Sequence, residues 1–365
     1  MTAPAPEATR RRAAFHALRV ARVTPLTEDS VAVTFTVPPA LREAYRFRAG
    51  QHLAVRRPGG NGGARRTYSI CTPQTADPAE LTVGVREVTG GEFSAYVNRE
   101  LKAGDTLEVM TPAGRFGLRE EPRGGGYWAA VVGGSGITPV LSIAATLLAG
   151  DESARFCLIR SDRTALSTMF LEEVADLKDR WPDRFHLVQT LSREQTEAGL
   201  ESGRLDEERL AALLPALVPV ADVAGWFLCG PYGLVQCAER ALRTAGVRRG
   251  RIHEEIFHVD DGTAPPVPAA TAPDRAAVTA RLGGRSGSWA VRQGETLLET
   301  VLRNRADAPY ACKGGVCGTC RAFLVEGEVR MDRNFALEPD ELEAGYVLAC
   351  QSHPVTERVE LDFDR

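Results

Sequence analysis

The N-terminal part of the chain shows short stretches in which apolar and polar residues alternate. Five of these stretches predict β-strands, at residues 31–37, 50–55, 66–70, 81–86 and 106–110. Glycine- and proline-rich turns separate them, and only residues 94–101 show a helical pattern. Many short strands with tight turns and little helix predict a closed antiparallel β-barrel over residues 15–120.

The pattern changes in residues 121–258, where continuous apolar strands alternate with helices. The strands are predicted at residues 127–132, 155–159, 185–190 and 225–229. Helices are predicted from Thr138 to about Leu148, at 169–178, at 206–214, and from Pro231 to near Gly246. Thr138 is expected as the N-cap of the first helix, with Pro139 at its first position. This alternation predicts a doubly wound parallel α/β domain.

The C-terminal part follows a segment rich in proline and alanine. Residues 259–274 are predicted to be a semi-extended linker, and residues 1–14 a disordered tail. In residues 275–365 we predict strands at 277–282, 288–292, 321–325 and 357–363, and helices at 296–304 and 339–344. The chain is therefore predicted to be a multidomain α+β protein with a small third domain.

Composition excludes several classes of protein. The chain has 365 residues, of which 44% are hydrophobic and 25% charged, as in ordinary globular proteins. A formal net charge of −4 argues against a nucleic-acid partner. No apolar run reaches the roughly 18 residues that a membrane span requires. Arg10, Arg11 and Arg12 are not followed by the apolar stretch of an export signal, so a cytoplasmic location is expected.

Four cysteines have the spacing of an iron–sulfur site. Cys312, Cys317 and Cys320 follow a C-x4-C-x2-C pattern, and Cys350 lies far downstream. This is the plant-type [2Fe–2S] ligand pattern. Gly314, Gly315 and Gly318 fit it, because such a loop needs positive φ angles. A structural zinc site is the alternative, although zinc ribbons usually show two close pairs.

Two segments of the predicted barrel have the chemistry of a flavin site. Alternation places Arg66 and Tyr68 on one face of a strand, where a guanidinium can hold a pyrophosphate and a ring can stack on a flavin. Taken alone, this pattern is typical of an exposed strand face. Residues 90–94 then open the helical stretch, and its first N–H groups together with the Ser94 hydroxyl suit a second phosphate contact.

Three segments of the α/β domain suit a pyridine nucleotide. A glycine-rich turn, residues 133–138, joins a strand to a helix and suits a pyrophosphate, although Pro139 replaces the third glycine of the usual fingerprint. Cys229 ends another strand, where ligands bind in such sheets; the alternative is a small buried residue. Ser192 and Arg193 suit a 2′-phosphate, which favours NADPH and leaves NADH open.

With these motifs, residues 15–258 resemble the ferredoxin–NADP reductase superfamily, and residues 275–365 resemble the β-grasp fold of plant-type ferredoxins. The resemblance implies FAD held by His52, Arg66, Thr67, Tyr68, Ser69, Val83, Val85, Arg86, Gly91, Phe93 and Ser94. It implies NADPH bound by Gly133, Gly134, Ser135, Gly136, Ile137, Arg163, Ser192, Arg193, Gly230 and Pro231. Near the flavin and nicotinamide it implies Phe257, Thr138, Cys229 and Glu255, the last three as candidate catalytic residues.

From Phe15 onward the chain resembles the reductase components of phenylacetyl-CoA epoxidases, for example in residues 169–173, 315–321 and 350–352. The resemblance implies electron transfer from NADPH through FAD and the [2Fe–2S] cluster to a di-iron oxygenase. Residues 160–163 depart from the Gly-Asn-Arg turn of relatives, which bears on cofactor preference. The alternatives are the reductase of a Rieske-type or steroid-hydroxylating oxygenase, and a non-enzymatic electron carrier or redox sensor. Acidic residues at 338, 340, 341 and 343 predict a local acidic patch for docking a basic partner, and the alternative is an ordinary solvated face.

Overall fold

The computed structural model describes residues 14–58, 65–118, 125–194, 203–258, 273, 275–305, 308–310, 313–337 and 339–365. The chain divides into two compact units, one spanning His16–Pro265 and the other containing Pro266–Arg365. The predicted tail and linker fall almost entirely outside the described residues. Within the described part, no helix is long and apolar enough to cross a bilayer.

The first unit begins with an antiparallel sheet of six strands and one helix. Its elements are β1 (Phe15–Thr27), β2 (Ser30–Thr36), β3 (His52–Arg56), β4 (Arg66–Ser69), β5 (Glu80–Arg86), α1 (Glu92–Arg99) and β6 (Thr106–Met110). The strand order is β4-β3-β6-β1-β2-β5, and a bridge between Ile70 and Val83 joins the two edges. The sheet therefore closes on itself as the predicted barrel.

Strand β1 is the one barrel strand that the alternation did not predict. It is 13 residues long, but only Leu18 and Val20 are buried on it, and Arg19 and Arg22 lie between and beyond them. Because most of its side chains are partly or fully exposed, the strand lacks a sustained apolar face. Its pairing with β2 shows shifts of register at two places, which interrupts the period further.

A parallel five-stranded sheet forms the rest of this unit. Its elements are β7 (Gly126–Gly133), α2 (Ile137–Gly150), β8 (Ala154–Asp162), α3 (Leu171–Arg180), β9 (Phe185–Leu191), α4 (Glu207–Leu217), β10 (Val223–Pro231), α5 (Tyr232–Thr244) and β11 (Ile252–His258). The order β11-β10-β7-β8-β9, with every pair parallel, confirms the doubly wound α/β fold. The order reverses beside β7, so ligands are expected at the carboxyl ends of β7 and its neighbours.

The predicted N-cap of α2 is wrong. A short 3₁₀ turn, Gly134–Gly136, runs directly into the helix, and Gly136 occupies the N-cap position. Thr138 lies inside the first turn, and its hydroxyl donates to the carbonyl of Ser135 at 2.9 Å. The threonine therefore ties the helix back to the glycine-rich turn instead of capping it.

The second unit is a mixed sheet crossed by one helix. Its elements are β12 (Ala277–Leu282), β13 (Arg285–Ala290), α6 (Leu297–Asn304), β14 (Arg321–Glu326), β15 (Val329–Met331), α7 (Pro339–Glu343), β16 (Tyr346–Leu348), β17 (Ser352–Pro354) and β18 (Arg358–Asp362). The strand order is β13-β12-β18-β14-β16, with β12 and β18 parallel and the other pairs antiparallel. This is the predicted β-grasp arrangement.

Helix α6 begins at a capping box formed by Thr296 and Glu299. The Thr296 hydroxyl accepts from the Glu299 N–H at 3.2 Å, and the Glu299 carboxylate accepts from the Thr296 N–H at 3.1 Å. The strands that the sequence did not predict here, β15, β16 and β17, have three residues each. That length is too short to show a period.

Candidate functional site

Strand β4 lines one edge of the barrel with the predicted flavin-binding residues. It pairs with β3, so that Ser69 lies opposite His52 and Tyr68 opposite Leu53. Arg66 is exposed, Thr67 and Tyr68 are half-buried, and Ser69 is buried. The Tyr68 ring stacks on Phe93 with centroids 6.1 Å apart, and burial raises the pKa of its phenol. A neutral ring and an accessible guanidinium thus project from the same strand.

Three other predicted flavin contacts have side chains inside the barrel. Val83 and Val85 on β5 are each 1% exposed, and Phe93 on α1 is 5% exposed. All three belong to the apolar core that fills the barrel. Any contact between Val83 or Val85 and a flavin would have to come from backbone atoms, so their role as ligands remains a prediction.

Ser94, in the first turn of α1, forms hydrogen bonds to the loop that precedes the helix. The Ser94 hydroxyl accepts from the Val88 N–H at 3.0 Å and donates to the carbonyl of Gly91, the N-cap residue, at 3.1 Å. It therefore shapes the loop that precedes the first N–H groups of the helix. Binding of a phosphate there by Gly91 and Ser94 stays a prediction.

Arg86 lies where the barrel meets the glycine-rich turn. Its guanidinium donates to the carbonyl of Ser167 and lies 3.3 Å from the Asp29 carboxylate. Burial lowers the pKa of Arg86, with the charge of Asp29 opposing that shift. A Cβ added to Gly134 would lie 3.1 Å from Nη1 of Arg86, so this arginine is close to the predicted pyrophosphate turn.

The glycine-rich turn is in backbone contact with the end of β10. A Cβ added to Gly136 would lie 2.1 Å from the carbonyl oxygen of Cys229, and one added to Gly230 would lie 2.8 Å from that of Gly133. Gly230 also has a φ of +141°. Only glycine fits at both positions. The carboxyl ends of β7 and β10 therefore meet, and the two predicted nucleotide-binding segments form one surface.

Ser69, Glu255 and Cys229 meet beside this surface. The Ser69 hydroxyl donates to Oε2 of Glu255 at 3.4 Å, and Cys229 is the partner of Glu255 in the pairing of β10 with β11. Nδ1 of His52 lies 3.9 Å from Oε1 of Glu255. The residues come from both sheets of the unit, and the structure brings the candidate catalytic pair Cys229 and Glu255 together.

Burial keeps this cluster uncharged near neutral pH. It raises the pKa of Glu255 to about 8, with the Ser69 hydrogen bond opposing the shift. It lowers the pKa of His52 to about 4, and it raises the pKa of Cys229 well above its ordinary value, helped by the Glu255 charge. At pH 7 the carboxyl group therefore holds its proton, the imidazole is neutral, and the pair is not an ion pair.

The residues predicted to recognise the 2′-phosphate lie on adjacent loops. The Ser192 N–H donates to the carbonyl of Asp162, and the Arg193 N–H donates to the carbonyl of Arg163, each at 2.9 Å. Arg163 also lies 3.3 Å from the Asp29 carboxylate. The loops that follow β8 and β9 thus bring Arg163, Ser192 and Arg193 together. Phe257 lies on β11 and packs against the core of the α/β domain.

Sequence reasoning missed a buried ion pair at the end of β8. The side chains of Arg160 and Asp162 are each 1% exposed, and Nε of Arg160 donates to Oδ2 of Asp162 at 2.7 Å. Nη2 of Arg160 also donates to the carbonyl of Met169 at 3.0 Å. The departure from the Gly-Asn-Arg turn was one signal in the sequence, but it did not show that these charges are buried.

The predicted iron–sulfur loop lies in the second unit. Cys312 is outside the described residues. Cys317 is half-buried, and Cys320 and Cys350 are buried. A hydrogen bond with Cys350, burial, and the charges of Cys350 and Cys317 raise the pKa of Cys320 well above its ordinary value. Three thiols therefore converge, and such a soft donor set suits an iron–sulfur cluster.

The backbone around these thiols has only part of the shape that the sequence predicted, because Gly314 is not among the described glycines with a positive φ. Gly315 and Gly318 have φ angles of 78° and 64°, and Lys313 also has a positive φ of 54°. The Gln351 amide donates to the carbonyl of Lys313 at 2.8 Å and lies 3.6 Å from Sγ of Cys350. Among the described residues no three metal-ligating side chains are spaced for a single ion. A two-iron cluster divides four cysteines between its irons, so it does not require such a group.

The predicted acidic patch is smaller than expected. Glu341 is 8% exposed, and its carboxylate accepts from Arg321 at 2.8 Å, so it does not belong to an open acidic surface. Asp340 and Glu343 are exposed, and residue 338 lies outside the described part. The prediction that Glu341 belongs to an exposed acidic patch is therefore wrong, and docking by the other acidic residues stays a prediction.

Comparisons with known proteins match all three parts of the chain. The family model described as "Oxidoreductase FAD-binding domain" matches residues 17–117, "Oxidoreductase NAD-binding domain" matches residues 131–240, and "2Fe-2S iron-sulfur cluster binding domain" matches residues 283–355. These matches confirm the predicted FAD, pyridine nucleotide and [2Fe–2S] cofactors.

Individual relatives match over almost the whole chain. One subunit of the 1,2-phenylacetyl-CoA epoxidase of Escherichia coli strain K12 is 42% identical over 96% of this chain and 98% of its own length. The 3-ketosteroid-9-alpha-monooxygenase, ferredoxin reductase component, of Rhodococcus rhodochrous is 33% identical over 95% of this chain and 96% of its own. The structure of phthalate dioxygenase reductase is 25% identical, with a TM-score of 0.61, and the match covers 96% of this chain and 98% of that one.

Proposed function

Because this chain belongs to the family of oxygenase reductases that includes this subunit of 1,2-phenylacetyl-CoA epoxidase, we propose that it passes electrons from NADPH through FAD and a [2Fe–2S] cluster to an oxygenase. It is an NAD(P)H-dependent oxidoreductase, as the sequence predicted. The observation that carries the proposal is the meeting of Ser69 on the flavin strand with Glu255 and Cys229 at the end of the nucleotide-binding sheet.

The residues at this meeting point act by position and by excluding water. FAD, when bound, accepts two electrons with a hydride and passes them on one at a time, which suits a one-electron cluster. Arg66 and Tyr68 would hold it from β4. The protonated carboxyl of Glu255, the neutral imidazole of His52 and the Cys229 thiol place no net charge where a neutral dihydronicotinamide ring has to approach. No proton transfer from these groups is needed for hydride transfer.

We propose NADPH as the preferred donor over NADH. The support is the adjacency of Arg163, Ser192 and Arg193, which offers two guanidinium groups and a hydroxyl to a 2′-phosphate. In the second unit, Cys312, Cys317, Cys320 and Cys350 would hold the cluster, and the β-grasp sheet would carry it.

For the acceptor, we propose a di-iron oxygenase that acts on phenylacetyl-CoA. Support comes from the higher identity to the phenylacetyl-CoA epoxidase component, 42%, than to the steroid monooxygenase component, 33%. That second relative makes a steroid-hydroxylating oxygenase the alternative acceptor. Electron delivery to each purified oxygenase, measured as NADPH-dependent product formation, separates the two.

An anaerobic titration of the purified protein with NADPH tests the electron path, with NADH in parallel. We expect bleaching of the flavin absorbance and a rhombic EPR signal from the reduced cluster, with NADPH effective at lower concentration. The Arg193→Ala variant should lose most of the preference for NADPH and keep its response to NADH. A colourless protein, or one that contains only zinc, would refute the proposal.

A further inference from the structure

We infer that Phe170 is a positioning residue for hydride transfer, because its ring fixes flavin strand β5 against the start of helix α2. The inference rests on the proposed function. It extends that function to a residue whose apolar side chain is not among the predicted nucleotide ligands. Phe170 lies immediately before α3, on the loop that follows β8.

The backbone at Phe170 is held in an unusual conformation. Its φ and ψ are 55° and 41°, in the left-handed region, and it is one of two described non-glycine residues with positive φ. Bulky residues rarely adopt this conformation, and it persists only where the surrounding structure fixes it. Strained backbone of this kind often lies at functional sites. Here the strained residue directs its ring toward Gly84 and Thr138.

Hydrogen bonds on both sides hold the strained residue. Arg160, anchored by its buried pairing with Asp162, donates to the carbonyl of Met169, the residue before Phe170. On the other side, the Val174 N–H donates to the carbonyl of Phe170 at 3.1 Å. The ion pair that sequence reasoning missed thus fixes the direction in which the Phe170 side chain leaves the chain.

The Phe170 ring reaches the place where the two sheets of the unit meet. A Cβ added to Gly84 would lie 2.7 Å from Cε2 of Phe170 and 2.8 Å from Cγ2 of Thr138. A residue with a side chain therefore does not fit at position 84 without a shift, because the ring and the Thr138 methyl group occupy that space. Phe170 itself is 2% exposed. Its ring, Gly84 and Thr138 form one three-way contact.

The two residues that the ring contacts belong to or adjoin the predicted nucleotide sites. Gly84 lies between Val83 and Val85, two residues before Arg86. Thr138 bonds to the carbonyl of Ser135 in the glycine-rich turn. The ring thus sets the spacing between the flavin strand and the dinucleotide turn. Hydride transfer depends steeply on such spacing, because a misplacement of about 1 Å can cost roughly 100-fold in rate.

The test is stopped-flow reduction of the full-length holoprotein by NADPH, followed by flavin absorbance. We expect Phe170→Leu to lower the limiting rate of flavin reduction about tenfold, while the half-saturating NADPH concentration changes less than about twofold. The matched control is Phe185→Leu. Phe185 is similarly buried, at 1% exposed, and its ring stacks on that of Phe156. It is the first residue of β9 and therefore lies away from the carboxyl ends of the strands. Phe185→Leu should lower the thermal midpoint similarly and leave the rate unchanged.

A second variant tests the same contact from the other side. Gly84→Ala pushes against the ring and the Thr138 methyl group, so it should also slow flavin reduction. In the double variant the smaller leucine makes room for the new methyl group, and part of the lost rate should return. If Phe170→Leu failed to retain FAD, Gly84→Ala alone would carry the comparison with Phe185→Leu.

The outcomes separate this inference from the proposed function. If the unmodified protein is not reduced by NADPH, the proposed function fails. If it is reduced but Phe170→Leu and Gly84→Ala react at the unmodified rate, or no more slowly than Phe185→Leu, the positioning role is overturned. Strictly additive losses in the double variant would overturn it as well.

Discussion

The buried carboxyl group of Glu255 makes the stability of this protein depend on pH in a predictable direction. Its side chain is 11% exposed, and burial raises its pKa from 4.5 to about 8. Between those two pH values the folded protein holds a proton that the unfolded chain has released. Stability therefore falls as the pH rises through this window, by about 1.36 kcal/mol per pH unit.

The upper part of the window isolates this effect. The pKa of His52 falls from 6.5 to about 4, so His52 is neutral in the folded protein across this window, and in the unfolded chain it loses only its remaining half proton above pH 6.5, which opposes the Glu255 effect slightly. The thiol of Cys229 has an ordinary pKa of 9.0, which burial raises, so it begins to contribute only near pH 9. Between about pH 6.5 and 8, Glu255 therefore contributes a loss of about 2 kcal/mol in the free energy of unfolding.

Replacing Glu255 by glutamine should abolish that loss, because the amide cannot ionise. The measurement is urea denaturation at about pH 6.5 and 8 with a fixed excess of FAD, compared between Glu255→Gln and the unmodified protein. Glu172→Gln, at an exposed position on α3, is the control and should keep the full pH dependence. The reasoning is refuted if the two substitutions leave the same pH dependence, because Glu255 would then not be the group that titrates.

Three further substitutions test other parts of the structure. Asp162→Asn leaves the buried Arg160 cation without its counter-charge. The free energy of unfolding, measured by urea denaturation, should therefore fall by about 3–5 kcal/mol. A loss below about 1 kcal/mol would contradict the burial of this pair. Thr296→Ala removes the capping box of α6 and should cost about 1 kcal/mol, with faster hydrogen exchange in the first turn of that helix; unchanged exchange would argue against the cap. Gln351→Met removes an N–H donor that lies 3.6 Å from Sγ of Cys350. An EPR-monitored redox titration should therefore show a lower reduction potential of the cluster. An unchanged potential would show that this contact does not set the potential.

The closed barrel and the parallel sheet together explain why these residues form one site. Ser69 comes from β4 and Glu255 from β11, which are 186 positions apart in the chain. The hydrogen bond between them joins an edge strand of the barrel to an edge strand of the parallel sheet. Each sheet contributes one partner, so the site exists only when both have folded.

The sequence by itself determined the architecture and the cofactor classes. Alternation with a period of two marked five of the six barrel strands, and the switch to continuous apolar strands marked the parallel sheet. The cysteine spacing indicated the cluster, since the ligand pattern lies in the chain itself. Local signals of this kind suffice where the chemistry requires particular residues at fixed separations, as in the Cys317–Cys320 pair.

The tertiary structure alone decided which side chains are buried and which groups keep their protons near neutral pH. Arg160 and Asp162 lie in a run of polar residues, yet both side chains are buried, and Arg160 bonds to the carbonyl of Met169 on the segment that follows β8. The raised pKa of Glu255 likewise depends on how completely the two sheets exclude water. Burial and long-range contact are properties of packing, because they depend on neighbours far away in the sequence, and no local pattern specifies them.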